Sequence, residues 1–109
     1  MIYRYLYLFA FILMTTFVSA QNVINITDSD IQPGQTIKWT SNNVYLLDGL
    51  VFVEEGAILE IEAGTVVKFT PRADVGNPSA LIIARGGKIL AEGTKDAPII
   101  FTAEADDVN

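Results

Sequence analysis

The sequence predicts an all-β solenoid of short stacked strands behind an export leader. Three observations carry that prediction. Beyond residue 20 no stretch keeps helical periodicity over three turns; short apolar or alternating runs recur between Gly, Pro, Asp and Asn; and one of those runs is repeated further along the chain.

The leader comes first. Residues 1–4 end on Arg4, residues 5–18 form an apolar run broken only by Thr15 and Thr16, and Val18-Ser19-Ala20 supplies a small-x-small cleavage site before Gln21. A run of 14 residues is short of the about 20 that a membrane-crossing helix needs. Residues 1–20 therefore read as a cleaved signal peptide, leaving no stable membrane span. No Cys follows the apolar run, which excludes a lipoprotein anchor.

Strands are expected at 36–40, 44–47, 50–53, 58–61, 65–69, 81–84, 88–91 and 98–102. Each is closed by residues with turn chemistry: Pro33-Gly34, Asn42-Asn43, Asp48-Gly49, Gly56, Ala63-Gly64, Gly86-Gly87 and Gly93-Thr94. Within 58–61, Leu59 and Ile61 share one face while Ile58 and Glu60 share the other, so one face is expected to be buried and one wet.

The repeat decides between architectures. Laying residues 50–59 over 81–90 matches Gly56 with Gly87, Ile58 with Ile89 and Leu59 with Leu90, an offset of 31. Gly64-Thr65 then falls on Gly93-Thr94. The 11 residues 70–80, with Pro71, Gly76 and Pro78, read as a loop inserted in one copy. Without it the period is about 20 residues, the size of one solenoid coil. Such a coil cannot bury its own inward side chains and must stack on its neighbours. An antiparallel sandwich would also give evenly spaced short strands, but it leaves the repeated Gly-x-Ile-Leu register unexplained.

The phrases GAILEIEAGTVVKF (residues 56–69) and ALIIARGGKILAEGTKDAPIIFTAEADD (residues 80–107) resemble the amino-terminal coils of large exported right-handed parallel β-helix proteins. These are of the pectin-lyase-like kind common in the Bacteroidetes. The likeness rests on Gly86-Gly87-Lys88-Ile89-Leu90-Ala91-Glu92-Gly93-Thr94 followed by Pro98-Ile99-Ile100-Phe101-Thr102, and it covers residues 44–107. It implies a partial right-handed parallel β-helix: leader 1–20, amino-terminal cap 21–43, and first coils 44–109. Relatives of that type run on for several hundred residues and many end in a sorting domain, so the resemblance implies a truncated chain whose partners include further coils of its own. Fold is all that such a likeness fixes, because the superfold hosts lyases, hydrolases and adhesins.

Composition removes most chemistry. The 109 residues contain no Cys and no His. A Ser-His-Asp triad, a Cys-His dyad, the common zinc ligand sets and disulfide staples are all excluded. Thirteen acidic against seven basic residues give a net charge of -6 and a pI near 4.3, which argues against a nucleic-acid partner.

Several candidate constellations remain, each with a plainer alternative. Glu60 and Glu62 project from one strand face about 6.8 Å apart, within reach of glycosidase carboxylate pairs; a solvated outer face explains them as well. Lys68, Arg72, Arg85 and Lys88, with Asp74, are the types with which a β-helix lyase neutralises a uronate and removes its α-proton beside Ca²⁺. No lyase active-site motif can be placed on them. Glu104, Asp106 and Asp107 are carboxylates of the kind that ligate Ca²⁺, but they lack a spaced Asp-x-Asp-x-Asp-Gly loop.

Trp39, Tyr45, Phe52, Phe69 and Phe101 read either as a sugar-stacking row or as inward core ladders, and the alternation favours the core. Asn25-Ile26-Thr27 matches a glycosylation acceptor that has meaning only in a eukaryotic secretory pathway. The sequence thus predicts an exported, non-catalytic surface or secreted β-helix scaffold with no catalytic, cofactor or metal residues, whose partner is an extracellular glycan. The rival is the first part of a β-helix polysaccharide lyase or hydrolase with its active site in later coils.

Overall fold

The fold is described from a computed structural model covering residues 21–72 and 78–108. The leader and Asp74 lie outside the described residues. In chain order the elements are β1 (Asn22–Ile26), a 3-10 turn η1 (Asp28–Asp30), β2 (Thr36–Trp39), β3 (Asn43–Leu47), β4 (Leu50–Val53), β5 (Ile58–Ile61), β6 (Val66–Phe69), β7 (Ala80–Ile83), β8 (Lys88–Ala91) and β9 (Ile100–Ala103).

The strands sort into three sheets: sheet A in the order β1-β3-β6-β9, sheet B in the order β2-β5-β8, and sheet C with β4-β7. Every pairing is parallel. Consecutive strands never pair with each other; the chain visits A, C and B in turn and returns one level higher. This is a parallel β-helix, and the antiparallel sandwich is overturned. Three coils stack, and β9 begins a fourth.

The predicted strands are present with ends shifted by up to two residues, but β1 is an additional strand. Its NVINI run carries Asn at two of five positions and shows no clean alternation. Its pairing with β3 makes it a strand. The segment 21–43 thus supplies two strands of the lowest coil, and η1 stands where that coil would add a third strand to sheet C. There Asp28 Oδ1 accepts the Phe52 N–H at 2.9 Å, satisfying an edge amide of β4 that a sheet edge would otherwise present unpaired.

The repeat offset of 31 is corrected to 30. Ile58 stacks on Lys88, Leu59 on Ile89 and Ile61 on Ala91, with Leu50 on Ala80 and Val51 on Leu81. A slip of one residue exchanges the two faces of a strand, so the difference is not cosmetic. The physical marker of the true register is Gly86: it and Gly56 both have positive φ (84° and 78°), and the Gly56 N–H donates to Gly86 O at 2.9 Å. Gly87, the residue matched in the sequence alignment, is the second member of a Gly-Gly pair and serves a different need.

Gly93-Thr94 does not stack on Gly64-Thr65. Thr65 O instead accepts the Ile100 N–H, and Val66 pairs with Ile100, because residues between β8 and β9 form an extra turn closed by Thr94 N–H to Ala97 O.

Inward side chains form the expected ladders. Tyr45, Leu47, Val51, Val53, Leu59, Ile61 and Val67 of the middle levels are at most 4% exposed. Ile26, Ile31 and Trp39 close the core from below, and Phe69, Leu81 and Ile89 pack on it from above. The interior is an aliphatic and aromatic column, and no buried side-chain polar atom is left without a partner among the described residues.

Candidate functional site

The outer face of sheet B carries a row of charged residues. Successive levels put Lys38, Glu60 and Leu90 in one outward row, at the about 4.8 Å spacing of neighbouring strands. Glu62 and Glu92 follow β5 and β8, and together these residues line an open groove of about 390 Å³. Glu62 Oε2 accepts the Ser41 N–H at 3.4 Å, which ties it to the turn below. Lys38, one level beneath Glu60, offsets part of the acidic charge. Among the described residues no group of three or more carboxylates is disposed to hold a metal ion.

The basic residues do not converge. Lys68 projects from β6 of sheet A, and its Nζ donates to the backbone oxygen of Asp106. Arg72 follows β6, with its guanidinium over Gly49 where a side chain would otherwise sit. Arg85 lies in the turn between β7 and β8, and Lys88 stacks above Ile58 on sheet B. The four positions are thus split, Lys68 and Arg72 on and just after β6 of sheet A, Arg85 and Lys88 at the turn into β8 of sheet B.

The acidic end is a structural turn. The Asp106 N–H donates to Ala103 O, Asp106 Oδ2 accepts the Thr102 hydroxyl at 2.7 Å, and Asp106 Oδ1 accepts the Val108 N–H at 3.2 Å. The Thr102 hydrogen bond, then the Val108 amide, with a smaller part from the Lys68 charge, hold the Asp106 carboxyl below its ordinary value. Glu104 donates its N–H to Phe69 O, fixing the turn to the level beneath.

The aromatic row is taken apart. Trp39 is 2% exposed and stacks on Tyr45 with centroids 4.8 Å apart and planes at 15°. Tyr45 Oη accepts the Thr40 N–H at 2.8 Å and the Asn43 side-chain amide at 3.2 Å, so even its polar end is used internally. Phe69 and Phe101 meet at 6.5 Å in the inward column, and Phe52 alternates with the inward Val51 and Val53. On the remaining motif, Asn25 is exposed while Ile26 is buried.

A second open cavity, of about 450 Å³, lies at the upper end of the column and is walled by Phe69, Leu81, Ile83, Ile89 and Phe101. Periodicity alone could not mark it: these are ordinary core positions, and only the stacking order shows that they form the uppermost layer of the described residues.

The parallel β-helix defines the class of protein. A family model described as the pectate-lyase like beta helix domain matches residues 30–109, and the chain belongs to that family. No curated protein and no solved structure matches the chain.

Proposed function

We propose that the protein is an exported, non-catalytic β-helix scaffold of bacterial, Bacteroidetes-like origin, held at the cell surface or secreted, whose outer faces contact extracellular glycan. The observation that carries the reading is the scatter of the ionisable candidates. Glu60 and Lys88 share the outer face of sheet B with Glu62 just beyond β5, Lys68 is committed on sheet A to the turn that also holds Asp106, Arg72 sits over Gly49, and Arg85 lies in the turn between β7 and β8. General acid–base work on a sugar needs such groups within hydrogen-bond reach of one substrate, whereas a scaffold needs only a rigid stack with a polar exterior. The leader at 1–20 supports export.

The test expresses the chain with its leader, sequences the amino terminus of the released product, and presents that product to pectin, alginate and other extracellular glycans. A start at Gln21 and retention of glycan without release of sugars are expected. Release of unsaturated uronates, by this chain or by a longer gene product that carries it with further coils, would establish the lyase reading in its place, and a retained leader would refute export by cleavage.

A further inference from the structure

The lower end of the solenoid presents three different edges. Beneath sheet C, η1 closes the edge, with Asp28 taking the Phe52 N–H. Beneath sheet B, β2 carries Lys38 on its outer face, the kind of charge with which edge strands discourage pairing. Beneath sheet A, β1 has neither device. Its residues Asn22–Ile26 include no charge and no Pro, and no strand lies below it among the described residues. Val23 is 60% exposed and Ile24 37%, whereas Val44 and Tyr45 directly above them are 2% and 4% exposed.

The parity of the ladder fixes which main-chain groups of β1 are open. The Asp48 N–H donates to Ile26 O, so Ile26 bonds upward, toward β3. Alternate residues of a parallel strand bond to opposite neighbours. Asn22 and Ile24 therefore also bond upward, while the N–H and C=O groups of Val23 and Asn25 point down. Those open groups flank Ile24 symmetrically. Turned by a two-fold rotation about Ile24, the pattern is its own complement: in an antiparallel pair, directly opposite residues exchange both of their bonds, and Val23 of one copy falls opposite Asn25 of the other.

We propose that β1 is the interface of a two-fold homodimer, in which the occupant of its open edge is β1 of a second copy of this chain, paired antiparallel and centred on Ile24. Val23 exchanges main-chain bonds with the partner's Asn25, and Asn25 does the same with the partner's Val23. Ile24 meets the partner's Ile24 on the inward side, which joins the two interior columns. Charge supports the same rotation. Sheets B and C flank sheet A on opposite sides, so the two-fold places η1 of each copy beneath β2 of the other. Asp28 and Asp30 of η1 are thereby brought to the strand that carries Lys38. The contact is isologous and closes on itself, as in most homodimers. It goes beyond the scaffold reading and does not depend on it.

The chain is expressed with its leader and its amino terminus is sequenced first, which records cleavage separately from association; the form obtained is then studied by sedimentation equilibrium. A monomer–dimer equilibrium is expected. Asn25→Pro removes an N–H that β3 does not use, a change an edge strand tolerates, and is expected to raise the dimer dissociation constant about tenfold or more. Ile83→Lys, at the upper end, is expected to leave it unchanged. The chain has no Cys, so one introduced thiol reports the register even where the Pro variant fails to fold. Ile24→Cys is expected to form an intermolecular disulfide on mild oxidation, because opposite non-hydrogen-bonded residues have Cα atoms about 4.5 Å apart; Val23→Cys, opposite the partner's Asn25, is expected to form none. A monomer at every concentration, growth beyond the dimer, a folded Asn25→Pro variant that associates as before, a dimer lost in Ile83→Lys, or equal cross-linking by both thiol variants would each overturn the proposal.

Discussion

Glycine is where single atoms decide this fold. A Cβ on Gly87 would overlap the carbonyl oxygen of Val53 in the coil below and crowd Glu54 O as well, and backbone cannot swing aside as a flexible side chain can. Gly34 is the contrasting case: φ is 78°, yet nothing lies within 4 Å of the added carbon. Gly34→Ala should cost about 1 kcal/mol, the ordinary penalty of a left-handed conformation, and Gly87→Ala about 3 kcal/mol through overpacking. Urea unfolding midpoints of the two variants give the comparison, and equal losses would mean that the coils are not as closely stacked as described. The same pair explains the limit of sequence reading here. Gly86 and Gly87 are adjacent and chemically identical, one needed for its φ and one for its lack of a Cβ. Nothing in the string of letters says which of them sits over Gly56.

At the level of the strand, alternation was legible and register was not. The buried face of β5, Leu59 and Ile61, follows from hydrophobicity at a period of two, and so does the inward placing of Trp39. The additional strand β1 and the capping role of Asp28 depend on tertiary pairing with β3 and β4, which local composition cannot express. The candidate carboxylates divide the same way. The shared outward face of Glu60 and Glu62 follows from strand geometry, but the tie of Asp106 to Thr102 and Lys68 appears only once β9 lies on β6. That tie is open to a titration. Because the Thr102 hydroxyl is the largest cause, Thr102→Val should move the Asp106 carboxyl back up toward its ordinary 3.8. In the native chain the folded value lies below the unfolded one. The contribution of Asp106 to holding β9 is therefore complete above 3.8 and disappears as pH falls through the lower folded value. Carboxyl chemical shifts of Asp106 followed between neutral and strongly acid pH check both statements. An unaltered midpoint in the Thr102 variant would remove the hydroxyl from the account.

For the molecule as a whole, a stack in which each coil touches only the coils above and below has stability that varies with height. Leu59 lies at the middle level, with Ile37 beneath it and Ile89 above, and is fully buried. Ile89 occupies the same ladder one level up but has no strand above it among the described residues and is only partly buried. Their side chains differ little in size, so burial is what separates them. Leu59→Ala should cost about 3 kcal/mol, because transfer and cavity terms both apply when neighbours on two sides cannot collapse. Ile89→Ala should cost about 1 kcal/mol, because much of the removed surface was already in water. Native-state hydrogen exchange extends the argument to the backbone. Amides of β5 and β6, held between two levels, should exchange only with global opening, whereas those of β8 and β9 should open locally at lower free energy. In the Leu59 variant the protection of β5 and β6 should fall together, since one missing rung weakens the contacts on both of its sides. In the Ile89 variant the loss should be confined to the upper level. A uniform loss in both variants would describe a single cooperative block rather than a column assembled level by level.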